Sequence, residues 1–232
     1  MSAPQLLIVG AGTGLSLSTA RRFGTQGWTV HLLARNAERL EHAAEPLIAE
    51  GVSVHIHVGD VTDHAELSAT VAAIDDATPL AACIFQPRGA EQMVDVLDAT
   101  VDNVRPHLDM LVLGAVAVGS VLAPRMVQRR SGSLVFVGGG SARTPLRFFG
   151  NLGMAMSGLR NYALMLASAL AKADAHAAFY TAAGMIGSEG AVASDQLDPV
   201  VMAQRMFTLV RDRDATEVLM TPTGEVIPKG AR

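Results

Sequence analysis

The stretch Gln5-Leu6-Leu7-Ile8-Val9-Gly10-Ala11-Gly12-Thr13-Gly14-Leu15-Ser16 decides the fold. Its first five residues are an apolar run that reads as a buried strand. Three glycines at alternate positions break the run. Behind them Leu15, Thr19 and Phe23 recur at helical spacing, and Gly24 and Gly27 close the segment. A strand that turns through glycines into a helix offers backbone N–H groups and a helix N-terminus to a ligand, with no side chains to block its approach. Such a turn suits a pyrophosphate. A glycine turn can also be purely structural, but its place at the first strand-to-helix junction favours binding.

Working outward, strands and helices alternate. Trp28–Leu33 reads as a second strand, and Asn36 caps a helix reaching about Glu50, with Pro46 inside it and Gly51 as its stop. Val52–Val58 is a third strand. Asp63 and Glu66 form a capping box ahead of a helix carrying Leu67, Val71 and Ile74. Leu80–Phe85 is a strand, followed by a long helical region from about Thr100 to Arg129, with a bend expected at Pro106. Leu134–Val137, a helix from about Leu152 to Lys172, and Ala177–Thr181 come next. Asp198-Pro199 caps a helix to Val210, and Glu217–Thr221 is the last strand. This alternation calls for one α/β domain over residues 1–232, a doubly wound parallel sheet of about seven strands in a three-layer αβα arrangement. The helices Leu108–Met126 and Leu152–Leu170 are apolar nearly all round, which points to burial on more than one side and to a subunit interface.

Composition narrows the function. Half of the 232 residues are hydrophobic and 17% are charged, which excludes a disordered chain. Lys+Arg 18 against Asp+Glu 22 gives a formal charge of −4, so a nucleic-acid partner is not expected. Only Lys172 and Lys229 are lysines. The one cysteine, Cys83, cannot form an internal disulfide or build a His/Cys zinc cluster. No run reaches the roughly 18 uninterrupted apolar residues of a spanning helix, and Met1–Gln5 lacks the charge of a signal peptide, so the expected protein is cytoplasmic with no membrane partner. His55 and His57 share one strand face, but without an acidic or cysteine partner no metal is expected there. The eleven methionines read as adaptable core filler.

The cofactor can be read further. As a G-x-G-x-x-G fingerprint the loop fails at Leu15; as G-x-x-x-G-x-G it matches at Gly10 and Gly14 and carries Ser16 at the last place. The second strand ends Leu33-Ala34-Arg35-Asn36, with no carboxylate to hold an adenosine ribose. Arg35 is free to grip a 2′-phosphate, which favours NADP(H), with NAD(H) as the alternative.

These features together resemble the short-chain dehydrogenase/reductase family nearly end to end. Gly10–Ser16 resembles its cofactor loop. Gly59-Asp60-Val61-Thr62-Asp63 resembles its adenine-contacting segment, Leu122-Ala123-Pro124-Arg125-Met126 its proline-methionine helix end, and Gly132-Ser133-Leu134-Val135 the entry to its fifth strand. Ala183-Gly184 followed by Ser188 stands where the family has Pro-Gly and a nicotinamide-contacting threonine. The resemblance implies a Rossmann-type sheet of order 3-2-1-4-5-6-7, a homodimer or homotetramer, and a cofactor set of Gly10, Gly12, Thr13, Gly14, Leu15, Arg35, Asp60, Val61, Gln86 and Ser188.

The resemblance fails at the chemistry. The family relies on a Tyr-x-x-x-Lys pair, because a phenol with a pKa of about 10 is a sluggish proton donor unless an ammonium lowers it. Alignment places Leu152 at the tyrosine, Met156 at the lysine, Gly139 at the serine and Leu111 at the asparagine. The residues four beyond Tyr162 and Tyr180 are Leu166 and Gly184, so no shift restores the pair. The Asn-Asn-Ala-Gly segment becomes Gln86-Pro87-Arg88-Gly89. Three readings follow. One is a reductase with relocated groups among Gln86, Arg88, Ser141, Arg143, Asn151 and Tyr162. Another is a non-catalytic NADP(H) sensor or structural partner. The third is an isomerase or cyclase reusing an apolar pocket for a small hydrophobic molecule.

Overall fold

The computed structural model describes residues 2–89 and 92–226, which leaves Lys229 outside it. The opening run becomes β1 (Gln5–Val9), buried along its whole length, and α1 (Leu15–Gly24) follows the glycines. β2 (Thr29–Ala34), α2 (Ala37–Ala49), β3 (Val54–Val58) and α3 (His64–Ala77) continue the alternation, with Asn36 and Asp63 as side-chain caps. Helix α2 runs through Pro46 without stopping. β4 (Leu80–Phe85) leads to α4 (Val101–His107), which passes Pro106 and flows through a π-helical turn (Leu108–Leu113) into α5 (Gly114–Arg129). The irregularity expected at Pro106 therefore appears one turn later, as a widened helix. β5 (Ser133–Gly139), α6 (Gly153–Leu170), β6 (His176–Ala182), α7 (Pro199–Asp212) and β7 (Glu217–Thr221) complete the expected series.

The sheet order is β3-β2-β1-β4-β5-β6-β7-β8. Seven strands are parallel, and β8 (Gly224–Val226) is an added eighth that pairs antiparallel with β7. The seven expected parallel strands are present in the expected order, and the three exposed residues of β8 add an eighth at the edge. A turn bond from the Thr221 hydroxyl to the Gly224 carbonyl, 2.8 Å, closes this hairpin.

Strand alternation sorts the core into two layers. Leu7, Val9, Phe85 and Phe136 face Leu111, Leu159 and Ala163 on one side, while Leu6, Ile8 and Tyr180 face Phe23, Leu40 and Met206 on the other. The continuous helix Val101–Arg129 is long and apolar enough to cross a membrane, although no single run in the sequence announced it. In its most apolar window 56% is buried inside the protein, as in a core helix. On α5 and α6 Val116, Met154 and Met165 remain exposed.

The strand order reverses between β1 and β4. Ligands of open α/β sheets bind at such a reversal, outside the carboxyl ends of the strands. The glycine turn lies there.

Candidate functional site

Gly10 turns the chain with φ +81°, and a Cβ on it would meet the Pro87 Cα at 2.4 Å, so the glycine loop and the segment after β4 are in direct backbone contact. Gly14 also has a positive φ, +72°. Around Gly12 and Gly14 no atom lies within 4 Å of where a Cβ would be. Helix α1 has no side-chain cap at Gly14 and no acidic residue in its first turn, whereas α2, α3 and α7 are capped by Asn36, Asp63 and Asp198. The first-turn N–H groups of α1 thus face open space with the positive end of the helix dipole behind them, which is a cradle for a phosphate. Thr13 is exposed on this loop, and Leu15 anchors it in the core at 8% exposure.

At the end of β2, Arg35 is 64% exposed and its guanidinium stands 4.0 Å from Asp60. Asp60 accepts bonds from the Thr62 N–H, 2.8 Å, and hydroxyl, 2.7 Å. Partial burial pushes the Asp60 carboxyl up, but the two Thr62 bonds and Arg35 outweigh it and hold it below its ordinary range. Val61 is buried, and Gly114 lets α5 pass against it, since a Cβ there would meet Val61 Cγ2 at 2.8 Å.

The residues expected at the family's four catalytic positions are apolar side chains and a glycine. Leu111 is fully buried in the π-helical turn. Leu152 and Met156 pack partly buried against the core, and the Met156 sulfur accepts the Gly139 N–H at 3.5 Å.

Several expected reactive groups are committed elsewhere. Tyr162 packs edge-on to Phe136 at 5.8 Å and over Gly119, and partial burial raises its pKa. Arg143 is ion-paired to Glu217, which Arg160 also holds at 3.0 Å. Burial opposes ionisation of Glu217, but the two arginines keep its pKa below the ordinary value. Asn151 is a buried clamp. Its Oδ1 accepts from the Val94 N–H at 3.2 Å, and its amide nitrogen donates to the Gln92 carbonyl at 2.9 Å and lies 3.0 Å from the His107 ring. Together with Gly150 N–H to Val94 carbonyl, 2.8 Å, and Arg147 to Asp95, 2.7 Å, it fastens the loop after β5 to the loop after β4. Ser141 is buried, while Arg88 and Ser188 are exposed.

Sequence reasoning missed that clamp, because its partners are brought together only by the fold. It also missed the tether of the loop after β6: Glu189 binds Arg21 at 2.6 Å and Ser18 at 3.2 Å, both on α1. His55 and His57 do share a face. His31 of β2 stacks on His55 and sits 3.0 Å from His57, and no metal-holding group of three or more ligands occurs among the described residues.

A parallel sheet with a glycine turn at its order reversal defines a Rossmann-type α/β protein. Residues 5–190 match the short chain dehydrogenase family, and the chain belongs to it. Among curated relatives, mouse 17-beta-hydroxysteroid dehydrogenase 13 is 28% identical over 132 residues, covering 57% of this chain and 43% of that protein. The chain spans about half the length of the curated relatives it matches, 43% and 56% for the first two. A short-chain dehydrogenase from Rhodopseudomonas palustris superimposes with a TM-score of 0.82 at 23% identity, over 94% of this chain and 98% of that one. A metagenomic short-chain oxidoreductase solved in complex with NADP gives 0.81 at 18% identity, over 95% and 98%.

Proposed function

We propose that this protein binds NADP(H) and holds it over a floor stripped of the family's proton-transfer groups, so that it senses or stores the dinucleotide, or presents it to a partner, rather than reducing carbonyls by the family's route. Two observations support the reading: the glycine turn is open and uncapped, and Met156 occupies the Gly139 N–H. The residues fit the group. Gly12, Thr13, Gly14 and Leu15 would hold the pyrophosphate, Arg35 the 2′-phosphate, Asp60 and Val61 the adenine, and Gln86 and Ser188 the nicotinamide-side half. A bound nicotinamide supplies a hydride. No described side chain at the tyrosine, lysine or serine position supplies the matching proton. The clamped loops and the apolar side chains of Leu152 and Met156 favour a small apolar second ligand.

The exposed apolar side chains of α5 and α6 favour a homodimer or homotetramer joined through those helices, and the single buried thiol of Cys83 suits a reducing, cytoplasmic setting. Sedimentation analysis tests the assembly.

Calorimetric titration with NADPH and NADH, followed by a turnover screen with NADPH across aldehydes and ketones, tests the function. Tight NADPH binding without turnover is the expected result. Turnover comparable to a tyrosine-bearing reductase overturns it.

A further inference from the structure

Along the sequence, His55 and His57 share a face of β3 and have no third ligand beside them. The fold supplies one. In the parallel register of β2 with β3, His31 stands opposite His55, on the same face of the sheet. Its Nδ1 lies 3.0 Å from His57 Nε2, and its ring stacks on His55 with centroids 5.0 Å apart. Strand β3 is the edge of the sheet. His55 is exposed and His31 and His57 are half-buried, so the face carrying the three imidazoles is open to solvent.

The His31 ring is already set as a ligand. The Gln5 amide nitrogen donates to the Ala3 carbonyl at 2.8 Å, which turns the amide oxygen toward His31 Nε2, 2.9 Å away. A carbonyl oxygen only accepts, so His31 carries its proton on Nε2, and its Nδ1 lone pair faces His57. A metal-bound histidine is held in this way, with an acceptor on its second nitrogen that fixes tautomer and ring. Burial keeps His31 and His57 below the ordinary imidazole pKa, so both are in the neutral form that binds metals. The spacing of the facing nitrogens selects among ions. With metal–nitrogen bonds of about 2.0–2.1 Å, two nitrogens at a right angle stand about 2.8–3.0 Å apart, and two at a tetrahedral angle about 3.3–3.4 Å. The observed 3.0 Å belongs to the right-angled set, the geometry of square-planar and tetragonal copper(II) or nickel(II) sites.

We propose that His31, His57 and His55 form a surface site for a tetragonal transition-metal ion, copper(II) before the others, with solvent in the remaining positions. His31 Nδ1 and His57 Nε2 take adjacent corners. The ion replaces the proton between them, and His57 keeps its single proton on its other nitrogen. Three nitrogens do not converge in the ion-free fold, and no preformed group of three ligands occurs among the described residues. His55 completes the set by turning about its side-chain bonds, which its exposure leaves free. Two residues apart on one strand face, His55 and His57 are separated by about 6.6 Å along the backbone. The one thiol, Cys83, is buried and does not compete for the ion. The site is independent of dinucleotide binding.

The test titrates copper(II) into the full chain, purified without a histidine tag, by calorimetry, with electron paramagnetic resonance reading the ligands. One ion per chain is expected, coupled to nitrogen nuclei in its plane. Losing even a hydrogen bond that supports a ligand costs about tenfold, so His31→Gln and His57→Gln should each weaken binding by about tenfold or more, and His55→Gln by about tenfold. Gln5→Met keeps all three imidazoles but frees the His31 ring, and should also weaken binding by about tenfold. Circular dichroism melts establish that each variant is folded. His55→Gln, at an exposed position, keeps the test in force if a half-buried histidine cannot be replaced. Copper bound without nitrogen coupling, or with unchanged affinity in any of the four folded variants, overturns the site. So does a chain that takes up no copper.

Discussion

The sulfur of Met156 accepts the backbone N–H of Gly139 at 3.5 Å. The family resemblance assigns these two positions an ammonium and a hydroxyl, a pair that lowers a phenol's pKa and aligns a carbonyl. A thioether on an amide does neither, and it is a weak acceptor. This contact is packing, and under the function proposed above it is the uncapped turn at Gly12 and Gly14 that would hold the ligand.

The cradle's glycines serve two separate purposes, and substitution should part them. Gly10→Ala forces a side chain into a left-handed conformation and drives its Cβ to 2.4 Å from the Pro87 backbone. Strain and overpacking together should cost about 2–4 kcal/mol, visible as a lower denaturant midpoint. Gly12→Ala meets nothing within 4 Å in the protein, so the midpoint should hold within about 1 kcal/mol. Its methyl would instead stand where the pyrophosphate approaches, and NADPH affinity should fall by a factor of about ten or more.

Arg35 is 64% exposed, and its carboxylate neighbour is 4.0 Å away, too far for a direct hydrogen bond. Removing it should cost little stability. Arg35→Ala should weaken NADPH about tenfold or more, the value of a charge-assisted phosphate contact, and NADH less than twofold. Calorimetry with both nucleotides measures this, and equal weakening would remove Arg35 as the selector.

Much of this was legible in the chain. β1, β4 and β7 fell on the residues expected, because short apolar runs bounded by glycine or by caps leave little freedom in where a buried strand starts and stops. The caps Asn36, Asp63 and Asp198 were visible because the residues that favour a helix start are few. The site was only half legible. A glycine loop is local in sequence, whereas Asn151 reaching Gln92 and Val94, Arg143 turned to Glu217, and Tyr162 packed on Gly119 depend on which elements the sheet brings together. Position at the carboxyl ends of the strands offered Tyr162 and Arg143 as candidates; the fold packs Tyr162 on Phe136, as the core alternative expects, and pairs Arg143 with Glu217.

The imidazole of His31 lies between Gln5, 2.9 Å from one ring nitrogen, and His57, 3.0 Å from the other, with His55 stacked on it. Burial, reinforced by the charges of His57 and His55, lowers its pKa from 6.5 to about 4. Burial lowers His57 as well. The folded protein therefore keeps these rings neutral where the unfolded chain already binds protons. The stability they allow is present above about pH 6.5 and is lost as the pH falls toward 4. Melting temperatures should drop across that window, and His31→Gln should flatten the decline. An equal slope in the variant would place the acid sensitivity elsewhere.

The last prediction concerns the three positions where the family resemblance expects a serine, a tyrosine and a lysine. No atom lies within 4 Å of a Cβ built on Gly139, so a serine fits there without displacing a neighbour, and Gly139→Ser alone should leave the melting temperature within a few degrees. Leu152 and Met156 are each only partly buried, so a tyrosine and a lysine would reach solvent at their tips. With Leu152→Tyr and Met156→Lys added, the phenol gains the ammonium that lowers its pKa, and the serine hydroxyl stands where it can orient a carbonyl. Placing a general acid contributes about 10²–10⁴-fold, so NADPH oxidation with small aldehydes should rise by about a hundredfold over the unaltered protein. Because Asn151 fastens the loop next to Leu152 to Gln92 and Val94, small aldehydes should be favoured over bulky ketones. A triple variant that binds NADPH, melts normally and still shows no turnover would show that the clasped loops, and not the missing proton donor, close this site to chemistry.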